Sequence, residues 1–247
     1  LWIKPDEKLS VHDVMQTMRD HFEGTPWDMT RGVDAGPFGC PVRYRGLTWE
    51  IDGETYAWER PVSTQQTAFS FVSQSRDWLP DPIGGVYWYG FDDTYATCYA
   101  PFYCCIDEIP ELYTAGSMRR FSWDSGWWLF NVVSNFANLR YQDMIKDVQE
   151  VQQTLEGDFL KLQPAVEKTA LQMYKQNPET MKRYLTTYSV SQGNLVMSEW
   201  KELAATLITR YNDGYVRNER GRARGVGYPE EWLRTVLKLR PDQFTLP

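Results

Sequence analysis

Two periodicities divide the chain. Up to about residue 113, short runs of aromatic and β-branched residues are punctuated by Gly, Pro and Asp, the signature of strands and turns. Beyond residue 114, long runs repeat apolar residues at helical spacing with few breakers. The expected organisation is a single α+β domain. Residues 1–113 supply the sheet-forming half with one leading helix, and residues 114–247 form a helical region packed on it. The leading helix opens at Ser10-Val11-His12-Asp13, a capping-box-like start, and Val11, Val14, Met15, Met18 and Phe22 carry its stripe until Gly24. Residues 25–46, rich in Gly and Pro, read as a long loop, and loops of that length usually have a function.

The sharpest local signal is a hairpin over residues 47–60. Asp52-Gly53 suits a type I′ turn, which sets Trp49 opposite Tyr56 and Leu47 opposite Trp58. Arg60 shares the parity of Tyr56 and Trp58, so a continuing strand turns its guanidinium inward, where it needs a partner. Further strands are expected at 67–73, 85–90 and 96–102. Bulky residues on both faces of Val86-Tyr87-Trp88-Tyr89 suggest a sheet covered on both sides. In the second half, apolar stripes run through Leu129 to Leu155, with room for a bend at residues 138–141, then Phe159 to Met173, Met181 to Tyr188, and Leu195 to Tyr211. Pro178 marks a helix start and Asp213-Gly214 a helix end.

Aromatic residues make up 15% of the 247, which excludes a disordered chain. Lys and Arg number 26 against 33 Asp and Glu, a net charge of −7, so nucleic acid is a poor partner. The uncharged run 125–139 is interrupted by Asn131, Asn135 and Asn138 and falls short of the ~20 apolar residues a membrane span requires. No export signal is visible in Leu1-Trp2-Ile3-Lys4-Pro5, so the compartment stays open: periplasmic or secreted if a signal peptide lies upstream, cytoplasmic otherwise.

Few residues offer chemistry by themselves. Cys40, Cys98, Cys104 and Cys105 form no C-x-x-C, and His12 and His21, nine residues apart, fall on opposite faces of a helix, so no metal site is called for. Gly84-Gly85 lacks the pattern of a phosphate loop, and no cofactor is implied. Asp92-Asp93-Thr94 fits a hairpin tip, with cation binding or acid–base work as the alternative. Arg217, Arg220, Arg222 and Arg224 read as a solvated or interdomain loop rather than an RNA patch.

Several separated blocks, in order, carry a resemblance. Ser10 to Phe22, Glu23-Gly24-Thr25-Pro26-Trp27-Asp28-Met29-Thr30, Ser63-Thr64-Gln65-Gln66-Thr67-Ala68-Phe69-Ser70-Phe71-Val72, Trp78-Leu79-Pro80 and Gly84-Gly85-Val86-Tyr87-Trp88-Tyr89-Gly90 resemble the dipeptidase A family. Pro101-Phe102-Tyr103-Cys104, Phe121-Ser122-Trp123 and Gly227-Tyr228-Pro229-Glu230-Glu231-Trp232 extend the similarity. These are cysteine dipeptidases of the N-terminal-nucleophile hydrolase superfamily, so the resemblance implies a four-layer αββα sandwich and a nucleophilic Cys whose own α-amine is the base. Residue 1 here is Leu and none of the four cysteines inherits that role. The expectation is therefore the C-terminal half of such an enzyme, inactive alone, with the N-terminal half and a dipeptide substrate as partners.

Related bile-salt and penicillin-cleaving enzymes carry a Glu-Arg pair at a strand start beside the nucleophile. Glu59-Arg60 is similar, although Pro61 departs from that pattern. The resemblance makes Arg60 the candidate catalytic residue, favouring the thiolate or the developing oxyanion, with a structural ion pair as the alternative. Hairpin register sets Arg45 across from Arg60, which asks for an anion such as a substrate carboxylate between them, or for termination of the strand at Gly46. Thr64, Gln65 and Gln66 complete the candidate substrate-binding set, the amides suiting a peptide backbone. Two rival readings are an aromatic-rich module binding peptides or carbohydrates, and a helical region that packs copies into a homo-oligomer.

Overall fold

The computed structural model describes residues 3–245, so Leu1 and Trp2, part of the segment read for an export signal, lie outside it. The leading helix α1 (Val11–Thr17) is closed by the expected capping box: Ser10 Oγ accepts from Asp13 N, and the Asp13 carboxylate accepts from Ser10 N at 2.8 Å. It ends well before Gly24. The backbone turns at Phe22, whose φ is 65° and whose N–H is held by the Asp20 carboxylate at 2.9 Å.

Strands β1 (Thr48–Ile51) and β2 (Glu54–Ala57) form the hairpin in the expected register, with Trp49 opposite Tyr56 and Trp58 N–H donating to Leu47 O at 2.9 Å. Asp52 and Gly53 both have positive φ, as the turn type demands. This hairpin is a separate two-stranded sheet. A three-stranded antiparallel sheet follows. It comprises β3 (Phe69–Gln74), then, after the single turn α2 (Asp81–Gly84), β4 (Val86–Phe91) and β5 (Ala100–Tyr103), with β4 central.

Ser125 caps α3 (Gly126–Ala137), and a tighter turn at 138–140 makes the bend anticipated there. Two long antiparallel-length helices then carry the remaining stripes: α4 (Tyr141–Gln176), continuous through Pro164, and α5 (Pro178–Tyr211), which begins at Pro178 under an Asn177 side-chain cap. Two residues each of β6 (Val216–Arg217) and β7 (Ala223–Arg224) pair across the arginine-rich turn, and α6 (Glu230–Leu239) follows.

The core lies where α4 and α5 meet the sheet. Trp88 is fully buried, its indole N–H donating to Gln74 at 3.2 Å; Gln163 of α4 reaches the same Gln74 oxygen at 2.8 Å, and Tyr103 O–H donates to Glu167 at 3.2 Å. Trp200 stacks on Phe130 with ring centroids 4.6 Å apart, joining α5 to α3. Gly193 permits α5 to approach β5, since a Cβ there would lie 3.1 Å from the Phe102 ring and 2.7 Å from Pro110.

The other face corrects the expectation of a sheet covered on both sides. Tyr113 covers Phe91 and Phe102, at centroid distances of 4.9 and 5.1 Å. Toward β3 the cover stops. Phe69 and Phe71 are 52% and 46% exposed and stack on Tyr89 and Tyr87 as an open aromatic ladder, and among the described residues the outer edge of β3 has no strand partner. The bulk of these side chains reflects their stacking on one another as much as any covering layer.

Candidate functional site

Arg60, Thr64, Gln65 and Gln66 converge on one shallow cleft, whose wall also includes Glu59, Pro61 and Arg43. Its volume is only about 10 Å³, room for a water rather than a substrate. Arg60 is exposed, contrary to the inward orientation expected from strand parity. The reason is local: β2 ends at Ala57, so the alternation that would carry Arg60 inward has already stopped before Pro61. Arg45 is exposed and lies outside the cleft's lining, beyond the start of β1 at Thr48.

The residue that organises this region is Arg43, which the sequence reading did not single out. It is buried, donating to Met29 O and Cys40 O at 3.1 Å each and paired with Asp34. Its guanidinium carbon lies 5.5 Å from the Trp58 ring centre, and its backbone carbonyl accepts from the Gln65 amide. Arg43 thus ties the 25–46 loop to both the hairpin and the Gln65-Gln66 turn. The only sequence signal for it is an acid and an arginine nine residues apart in a Gly-rich loop, which is common in structures of many kinds.

Ser63 links the cleft to a buried polar cluster. Its hydroxyl donates to Asp93 Oδ1 at 2.8 Å and accepts from Tyr95 N at 3.1 Å, and Thr94 Oγ1 lies 2.7 Å away. Asp92 accepts from Asn131 Nδ2 at 2.9 Å and Ser134 Oγ at 2.5 Å. Both aspartates do lie in the connection between β4 and β5, Asp92 with φ 60°, but the connection is buried: side chains remote in sequence supply the partners that solvent would otherwise provide. Burial pushes Asp92 upward and raises the Asp93 carboxyl to about 7, the latter against the pull of Ser63 and His21. His21 is also buried, with Nδ1 3.2 Å from Glu23 Oε1. Burial opposes ionisation of Glu23, but hydrogen bonds from the His21 ring and backbone outweigh it and hold the carboxyl at about 2.

The cysteines lie in surroundings unlike those of an activated nucleophile. Burial raises the thiols of Cys40, Cys98 and Cys105, Cys98 most strongly, whereas a reactive thiol needs its thiolate favoured. Cys104 is exposed, at the turn directly after β5. Among the described residues, no three His, Cys, Asp or Glu side chains are grouped to hold a metal ion, and no helix is long and apolar enough to cross a membrane.

Residues 1–154 match peptidase family C69. A probable dipeptidase of Latilactobacillus sakei is 24% identical over 138 residues, covering 56% of this chain and 25% of the relative. A probable dipeptidase A of Streptococcus pyogenes serotype M3 (strain SSI-1) is 22% identical over 138 residues, covering 56% and 26%. The matched stretch is therefore about a quarter of the length of these relatives. With a family match across more than half of its length, the chain belongs to peptidase family C69.

Proposed function

We propose that this chain is the C-terminal portion of a dipeptide-cleaving cysteine peptidase of the N-terminal-nucleophile type, inactive alone, whose nucleophile is carried on a segment outside the chain. The observation that carries the reading is the convergence of Arg60, Thr64, Gln65 and Gln66 on one cleft in a member of family C69, in a chain where burial raises the thiols of Cys40, Cys98 and Cys105. The exposed Arg60 guanidinium then faces the incoming thiol and favours its thiolate or the oxyanion of the tetrahedral intermediate. Acyl transfer passes through a thioester: the thiolate attacks the peptide carbonyl, the leaving amine takes the proton from the nucleophile's α-ammonium, and water then releases the acid and restores the thiol. The cleft alone admits only a water, so in this reading Thr64, Gln65 and Gln66 hold the peptide backbone in a site that the segment outside the chain enlarges, and Arg45, outside the cleft, has no part in it. In this reading the open ladder on β3 and β4 receives the second sheet of an αββα sandwich, and residues 1–113 and 114–247 act as one domain.

The test is to combine the chain with its N-terminal remainder and assay amino-acid release from dipeptides. Activity should require both parts and vanish on thiol alkylation, and Arg60→Gln should lower kcat by roughly 10²-fold, the usual cost of losing one oxyanion-stabilising group. Full kcat in Arg60→Gln removes the arginine from the mechanism, and turnover that resists alkylation removes the thiol. A binding module is the second reading, favoured by the exposed ladder of Phe69, Phe71, Tyr87 and Tyr89. Saturable sugar or peptide binding by the complete protein without turnover would support it.

A further inference from the structure

A cavity of about 630 Å³ lies between the helical region, the C-terminal segment and Phe38 of the 25–46 loop, and shares no lining residue with the cleft at Arg60. That is within the range of roughly 300–1,000 Å³ typical of small-molecule sites. Phe136, Leu139, Met144 and Ile208 supply apolar walls, and Phe38 and Tyr228, stacked with centroids 5.4 Å apart, close one side. Two charged side chains line it: Arg140 and Asp213.

Arg140 is 8% exposed and is held in place on three sides. Nε donates to Asp143 at 2.5 Å, Nη2 donates to Gly227 O at 3.2 Å, and the guanidinium carbon lies 4.5 Å from the Phe38 ring centre. Among the described residues, Nη1 has no hydrogen-bond partner and, unlike the fully buried orphans, remains open to solvent. A fixed, nearly buried guanidinium with a spare donor in an apolar cavity is suited to one carboxylate oxygen. Asp213 is the opposite charge, on the solvent side of the lining with its side chain 78% exposed, and engaged only by a long ion pair of 3.9 Å to Arg217. Its place is set by a left-handed backbone, φ 57°, at the end of α5.

We propose that this cavity binds a small zwitterion with an apolar body, the class of a free apolar amino acid such as leucine or phenylalanine. The carboxylate meets Arg140 Nη1, the ammonium meets the Asp213 carboxylate, and the side chain lies among Phe136, Met144 and Ile208. The assignment stands on the cavity's own walls and charges, not on the hydrolase reading. No peptide is present in its test, so a failure here leaves that reading untouched.

Isothermal titration of the intact protein with L-phenylalanine or L-leucine should show one saturable site. Phenethylamine, which lacks the carboxylate, and 3-phenylpropionate, which lacks the ammonium, should each bind roughly 10- to 100-fold more weakly, the value of one hydrogen bond to a charged group. Ile208→Trp, which fills the cavity from a half-exposed position without touching Arg140's bonds, should abolish binding. Asp213→Asn keeps a residue that tolerates the left-handed conformation and should weaken phenylalanine while leaving 3-phenylpropionate unchanged. Absence of saturable binding, binding that survives Ile208→Trp, or equal affinity for phenylalanine and phenethylamine would each overturn the proposal.

Discussion

The two faces of the β3–β4–β5 sheet are built to different standards. On the face covered by α4, Trp88 is fully buried and the polar groups of Gln74 and Tyr103 find partners on Gln163 and Glu167. On the opposite face, four aromatic rings stack on one another and half of Phe69 and Phe71 meets solvent. Burial of an apolar ring stabilises in proportion to the area withdrawn from water, so the first face contributes throughout and the second only where Tyr113 covers Phe91 and Phe102. The same contrast separates the helical region from the hairpin, whose Ile51 and Tyr56 are exposed. One part of the molecule is closed by its own chain, and the other is left open to solvent.

The contrast can be broken by mutation. Trp200→Ala, deep in the helical side, should lower the unfolding free energy by about 3–5 kcal/mol in urea titration. Glu156→Ala should cost about 3–5 kcal/mol as well, because it leaves the nearly buried Arg19 guanidinium, 2.6 Å from that carboxylate, without its counter-charge. If either change is mild, the closed side is less well packed than its burial indicates.

The polar groups of the closed side sharpen the comparison through pH. Asp93 is raised to about 7 by burial, whereas an unfolded Asp titrates near 3.9. Between about pH 4 and 7 the native state therefore binds a proton that the unfolded chain has released, so this group's contribution to stability falls as pH rises through that window and is flat above it. Asp93→Asn should flatten that slope in a series of thermal melts. Glu23 acts in the opposite sense: its depressed carboxyl contributes stability that is present above the ordinary Glu range and lost as pH falls toward about 2. The smallest effect belongs to the open face. Phe71→Ala should change the chain's own stability by less than about 1 kcal/mol, as for other half-exposed positions. A cost comparable to Trp200→Ala would mean that the ladder is already covered.

Local rules were readable where the determinants are local. The capping box at Ser10 and Asp13, the Asp52-Gly53 turn with its register, the bend at 138–140 and the helix start at Pro178 each depend on residues within a few positions of one another. The candidate cleft was partly legible, since four of the five proposed residues sit together there, and Arg45 does not. What failed was extrapolation. Strand parity was carried to Arg60 although β2 stops three residues earlier, and the helical stripe was carried to Phe22 although α1 stops at Thr17. Arg43 escaped, and the burial of Asp92 and Asp93 was not foreseen, because both depend on Met29, Asp34, Ser63, Asn131 and Ser134, contacts that only the folded chain brings together.

Strand β3 has a practical consequence for anyone preparing the polypeptide by itself. A bare row of amides and carbonyls next to oily rings is a template on which sister molecules can pair. Self-pairing along that strand leads to clumping, so a charged residue placed on the exposed ladder, as in Phe71→Lys, should improve yield more than any change of buffer.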